Sequence, residues 1–165
     1  MPNLTYVEGD LIELARQGEF RAIGHGANCF HLMGAGIAKQ IAKHFPTAYT
    51  ADRKTEYGGE LGKNQKLGSF SRAKIVPDLG PDFHPFMVYN LYTQHHPGRG
   101  DEALKYWAIE SAFTEVAYLE ARARTDSRPF GIPRIGCGIA GLDWEVVERL
   151  IYTSGLEDVV VVDLP

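Results

Sequence analysis

A chain of 165 residues, 44% of them hydrophobic, has the size of one domain and buries about 70% of the surface its unfolded form exposes. Residues 1–165 accordingly read as a single domain with no linker or repeat. The net charge of −4 excludes the basic footprint of a duplex nucleic-acid binder, and no apolar run approaches the roughly 20 residues of a membrane span, so a soluble, cytoplasmic chain without a membrane partner is expected.

Leu4–Val7 predicts a strand, followed by Gly9-Asp10-Leu11 and a short helical segment to Arg16. Asp10 stands where a carboxylate accepts a hydrogen bond from a ligand's amino group or caps the helix behind it, and its spacing favours the cap. Arg21–Gly24 is the second strand, ended by His25. A histidine there suits general acid or base work near neutral pH, although a structural role is the commoner one. The stretch His25–Ala42, HGANCFHLMGAGIAKQIA, runs from this strand through a polar turn and a Gly34-Ala35-Gly36 run into an amphipathic helix, with Ile37, Ile41 and Phe45 at i, i+4 and i+8. Glycine lets the backbone approach a ligand, and the first N–H groups of a helix are unpaired and carry the positive end of its dipole; a phosphate fits both. The competing reading is a tight turn with close helix packing.

Pro46 punctuates, Tyr49–Tyr57 predicts a further short helix, and Gly58–Gly68 a loop. Within that loop GGELGKN, Gly58–Asn64, is one residue short of a P-loop and ends in Asn instead of Ser or Thr. The helix after Gly36 does not complete a dinucleotide fingerprint either, since Lys39 stands where Gly or Ala is required. Ser69–Val76 and Phe86–Leu91 are strands separated by the turn-rich PDLGPDFHP. From an Asp101 N-cap, Leu104, Trp107, Ala108, Ala112, Val116 and Leu119 form the core-facing stripe of a long helix. Phe130–Ile135 is a strand leading into a second glycine-rich turn, Pro133–Trp144, PRIGCGIAGLDW. Leu142 or Asp143 starts a helix carrying Val146, Val147 and Leu150, and Val159–Leu164 is a closing strand. Strands alternating with helices predict an α/β sheet covered on both faces. Cys29 and Cys137, one in each glycine-rich turn, read as small apolar fillers, and no cysteine or histidine spacing predicts a metal site.

The order GDL near the N-terminus, then N-C-x-x-x-x-G-x-G-I-A, then P-R-I-G-C-G-x-x-x-L-x-W resembles the macrodomain family over essentially the whole chain. Within it the chain is most similar to the branch containing terminal ADP-ribose protein glycohydrolases, DNA ADP-ribosyl glycohydrolase antitoxins and ADP-ribose 1″-phosphate phosphatases. The resemblance implies a three-layer α/β/α fold with a mixed central sheet, no cofactor, and ADP-ribose or ADP-ribose 1″-phosphate bound at the strand ends, with an ADP-ribosylated macromolecule as a further class of partner. Carried over residue by residue, it implies that Asp10 takes the adenine amino group with Leu11 as a backbone contact and that Asn28 holds the distal ribose. Gly34, Ala35, Gly36 and Ile37 then form one phosphate loop, and Gly136, Cys137, Gly138, Ile139, Ala140 and Gly141 the other.

Two departures bear on chemistry. Glycohydrolases of the branch that work through a lysine carry it after an L-x-T strand end, where this chain has Gln94, and Ala140 occupies the place of an aspartate in the protein-directed enzymes. The phosphatases resemble this chain in a histidine ahead of the first glycine-rich loop, which implies His25 as general acid or base while positioned N–H groups stabilise phosphate charge. The expectation is therefore a hydrolase removing phosphate from ADP-ribose 1″-phosphate, against a non-catalytic ADP-ribose reader or a glycohydrolase acting on protein or DNA.

Overall fold

In the computed structural model, which describes residues 3–57, 66–76, 84–97, 100–138 and 140–165, strands and helices alternate along most of the chain. β1 (Leu4–Glu8) leads to α1 (Leu11–Arg16), β2 (Ala22–Asn28), α2 (Gly36–His44) and α3 (Pro46–Arg53). The antiparallel pair β3 (Phe70–Ile75) and β4 (Phe86–Gln94) follows, then α4 (Glu102–Ala123), β5 (Phe130–Ile132), α5 (Trp144–Thr153) and β6 (Val159–Asp163). The Gly58–Asn64 segment, most of the 77–85 turn and Ile139 lie outside the described residues.

The six strands lie in the order β1-β6-β5-β2-β4-β3, all neighbours parallel except β3 against β4, so the sheet is mixed as expected. Helices cover both faces. Ile109, Ala112, Phe113 and Val116 of α4 with Val147 and Ile151 of α5 form one core, while Leu11, Ile12 and Ala15 of α1, Ile41 of α2 and Ala48 of α3 form the other. These stripes recur at three and four residues, so each helix buries one side against the sheet and leaves the other in water.

Several boundaries depart from the sequence expectation for local reasons. β5 stops at Ile132 because Pro133 has no N–H to continue a ladder. α3 begins at Pro46, which suits the first helical turn, and ends at Arg53. Trp107 does not face the core: the buried flank of α4 runs through Lys105, Ala108, Ile109, Ala112 and Phe113, whereas Trp107 is 52% exposed. Its ring lies over Gly68, where a Cβ would come within 3.1 Å of it. The caps at Asp101 and Asp143 are in place, accepting from Leu104 N–H and Glu145 N–H.

β2 and β5 are hydrogen-bonded neighbours, and the chain leaves them in opposite directions across the sheet, β2 leading to β3 and β4 and β5 leading to β6. Such a switch in strand order opens a crevice beyond the carboxyl ends of the two strands. Both glycine-rich turns emerge there.

Candidate functional site

The crevice is a cleft of about 550 Å³. One wall is the turn from β2 into α2, with Asn28, Leu32 and Gly34 to Ala38; the other is the turn after β5, with Arg134, Ile135, Gly136, Gly138, Ala140 and Leu142. Thr93 and Gln94 from the end of β4 and Lys105 and Ile109 from α4 close it.

The first wall is held by side chains of its own turn. Asn28 is buried; its Oδ1 accepts from Phe30 N–H at 2.9 Å and Leu32 N–H at 3.4 Å, and its Nδ2 donates to the Leu32 carbonyl at 2.8 Å. A register shift in the β2–β4 pairing, Ala27 opposite Tyr92 but Asn28 opposite Gln94, leaves Thr93 as the extra residue and re-aims the strand ends toward the cleft. Lys66 ties the turn down by donating to the Cys29 carbonyl at 3.1 Å and the Glu56 carbonyl at 2.7 Å. At the start of α2, the N-cap Ala35 supplies no side-chain acceptor and Gly36 adopts φ +58°, so the first N–H groups of the helix are left to the cleft.

The second wall turns on Gly136. Its φ is +82°, and a Cβ there would stand 2.8 Å from Leu142 Cδ1, so both conformation and space require glycine. The turn satisfies Ile135, Cys137, Gly141 and Leu142 N–H groups with its own carbonyls. Lys105 reaches across from α4, its Nζ donating to the Ala140 carbonyl at 3.4 Å. No Asp or Glu lines the cleft among the described residues, so its walls combine a helix N-terminus with the cations Lys105 and Arg134.

Of the residues singled out from the sequence, Asn28, Gly34, Ala35, Gly36, Ile37, Gly136, Gly138 and Ala140 meet at this cleft. Cys137 instead packs against the α4–α5 core, and neither it nor Gly141 lines the cleft. Asp10 is the N-cap of α1, its Oδ1 accepting from Ile12 and Glu13 N–H, and Leu11 is buried beneath the same helix. Neither lines the cleft. The Cys29 thiol is pushed by burial up to about 11, which keeps it protonated and unsuited to nucleophilic attack at neutral pH.

His25 is not brought to the cleft. Its ring is fully buried under α3, with Nε2 2.7 Å from Asn90 Oδ1. The Asn90 amide nitrogen donates to the Ala48 carbonyl and the Ser71 hydroxyl, so its oxygen faces the imidazole and fixes the proton on Nε2. Nδ1 is buried without a hydrogen-bond partner. Burial pushes the imidazole below its usual range, against the opposing pull of the Asn90 bond and the Asp52 carboxylate. The neighbouring polar groups run on through Ser71 and Tyr92, whose hydroxyl donates to Asp52 at 2.7 Å.

Sequence reasoning missed Lys105, Thr93, Arg134 and Ile135 as lining residues. One signal for Lys105 was present: a lysine four residues before Ile109, within an apolar helical stripe. The bulge at Thr93 left no mark in the sequence.

A mixed sheet between two helical layers, with two glycine-rich turns enclosing one cleft at the strand ends, defines the three-layer α/β class. No model of a known protein family matches the chain. It is 36% identical over 161 residues to an uncharacterized 17.5 kDa protein from the tk-vs intergenic region of Enterobacteria phage T4, covering 96% of this chain and 95% of that one. The DNA ADP-ribosyl glycohydrolase of Mycobacterium tuberculosis is 29% identical over 92% of this chain, which spans only 38% of that enzyme's length. The ADP-ribose 1″-phosphate phosphatase of Scheffersomyces stipitis is 22% identical, covering 93% of this chain and 96% of that one. Among solved structures, the macrodomain of Mycobacterium tuberculosis DarG superposes with a TM-score of 0.70 at 24% identity over 98% of each chain. Thermosipho africanus DarTG in complex with ADP-ribose superposes at 0.69 and 22% identity, over all of this chain and 42% of that one. The chain has the macrodomain fold and is a relative of the phage T4 17.5 kDa protein.

Proposed function

We propose that the protein is an ADP-ribose-binding hydrolase whose cleft takes the ligand's diphosphate between the N-terminus of α2 and the turn through Gly136, Gly138 and Ala140. The observation that carries this reading is the uncapped start of α2, with Ala35 as N-cap and Gly36 at positive φ, opening into a cleft that no carboxylate lines among the described residues. Unpaired helix N–H groups and the helix dipole favour a phosphate there. Asp10 then receives the adenine amino group on Oδ2, the oxygen its capping bonds leave unused, with Leu11 contributing backbone. Asn28 shapes the turn that receives the distal ribose. Relatives named as DNA ADP-ribosyl glycohydrolases and ADP-ribose 1″-phosphate phosphatases support a hydrolytic activity.

The leading reaction is removal of phosphate from ADP-ribose 1″-phosphate. Phosphoryl transfer needs chiefly positioned donors and a bound water, and the cleft offers donors where a lysine-based glycohydrolase would need an amine after Thr93. Gln94 has none to offer. His25, sealed under α3, acts in this scheme as a support for β2 and not as the proton carrier. The second reading, hydrolysis of ADP-ribose from DNA, is favoured by relatives of that name matching at higher identity than the phosphatases.

Incubation of the protein with ADP-ribose 1″-phosphate, and separately with ADP-ribosylated DNA and protein, tests the reading by quantifying released phosphate and ADP-ribose. Phosphate release is the expected result. Release of ADP-ribose from DNA alone would transfer the assignment to the second reading, and binding without any turnover would leave a reader.

A further inference from the structure

We propose that Arg134 is the stacking surface for the ligand's purine ring, a specificity-determining role carried by the plane of its guanidinium and not by its charge. The inference rests on the ADP-ribose reading above and deepens it by assigning the base end of the cleft. Its starting point is what the cleft lacks. No Phe, Tyr, Trp or His lines it among the described residues, so its glycines and aliphatic side chains offer a purine no ring to lie on. Arg134 is the lining residue with a delocalised cationic plane, and guanidinium planes stack on nucleobases as aromatic rings do.

The charge of that guanidinium is already answered. Nε and Nη2 donate to the two carboxylate oxygens of Asp163 at 2.7 and 3.0 Å, a bidentate pair that offsets the charge a phosphate would seek and fixes the plane. Two rings brace it from one side. Cζ lies 5.5 Å from the ring centroids of both Tyr6 and Trp144, and these rings adjoin, since Trp144 Nε1–H donates to the Tyr6 hydroxyl at 3.0 Å. The Arg134 side chain nevertheless stays 44% exposed. A plane held along its edge and on one face has its other face left for a ligand.

The strand order separates this plane from the diphosphate seat. The helix N-terminus of α2 follows β2, whereas Asp163 ends β6 on the far side of β5. β1 ends beside β6, with Glu8 opposite Asp163 and Gly9 N–H donating to the Asp163 carbonyl at 2.8 Å. Asp10 is the next residue, and its capping bonds leave Oδ2 unused. An acceptor for an exocyclic amino group and a plane for the ring that carries it therefore flank the same strand ends.

Calorimetric titration with ADP-ribose of the wild type, Arg134→Lys and Arg134→Tyr, with ADP and CDP as competitors, tests the assignment. Arg134→Lys keeps a cation without a plane and should bind ADP-ribose about tenfold more weakly, the scale of one base stack. Arg134→Tyr keeps a plane without the cation and should stay within about threefold of the wild type. The wild type should also favour ADP over CDP, because the larger ring covers more of the plane, a preference lost in Arg134→Lys and kept in Arg134→Tyr. Wild-type affinity in Arg134→Lys, or no preference between ADP and CDP in the wild type, would overturn the proposal while the ADP-ribose reading stands. Equal losses in both variants would mean that Arg134 acts through its bond to Asp163, and would also overturn it. Failure of the wild type to bind ADP-ribose would overturn both.

Discussion

Gly136 and His25 place opposite demands on the chain: one needs the absence of a side chain, the other is a polar side chain sealed from water. Gly136→Ala puts a methyl group 2.8 Å from Leu142 Cδ1 on a backbone at φ +82°, and is expected to cost about 1–3 kcal/mol in urea unfolding and to weaken ligand binding by displacing the second turn. For His25 the sign of the pH effect follows from its depressed proton affinity. The unfolded histidine binds a proton at a higher pH than the folded one, so stability is full above the usual imidazole range and falls as the pH drops below it. Urea midpoints measured at pH 7.5 and 5.5 should therefore show a loss at the lower pH that shrinks in His25→Gln; an identical loss in the variant would remove His25 as its source. The glycine was legible from the PRIGCG run, but the destination of His25 was not. Strand alternation sends its ring to the α3 face, and only the register with Asn90 and the docking of Ala48 reveal that this face is closed.

α2 is the element on which stability and binding pull apart. An alanine N-cap forgoes a side-chain bond that Asp or Ser would supply, leaving the helix less stable and its amides open. Ala35→Asp should stabilise the protein by about 0.5–2 kcal/mol through the missing cap while placing a negative charge in the anion's position. Thermal melts and ligand titrations on that variant should move in opposite directions, with the melting temperature up and the affinity for ADP-ribose down; tighter or unchanged binding would contradict an anion seat at this helix. At this scale the sequence was informative, because apolar spacing located α2, α4 and α5, and Asp101 and Asp143 announced two of their starts, whereas α3 was expected at Tyr49–Tyr57 and lies at Pro46–Arg53. It misled at Trp107, where aromatic content counted for more than angle: its flank of α4 lies over Gly68, outside the stripe that meets the sheet.

At the level of the whole molecule, one topological fact gives the cleft its composition. β2 and β5 are distant in sequence but adjacent in the sheet, so two glycine-rich turns separated by about a hundred residues open onto one crevice. Alternation of strands and helices made the layered class readable, and the two ordered motifs made the family readable. The pairing of β2 with both β4 and β5 was not, since parallel neighbours are joined through crossovers that carry no local signal. The central claim is that this crevice, and not another face, receives ADP-ribose. Gly34 offers the most direct test: a Cβ there meets nothing within 4 Å and its φ is not positive, so Gly34→Val should fold with its melting temperature intact while filling the mouth of the cleft. Isothermal titration of wild type and Gly34→Val with ADP-ribose should give one-site binding for the former and none detectable for the latter. Equal affinity in the two proteins, or no binding by the wild type, would contradict the account.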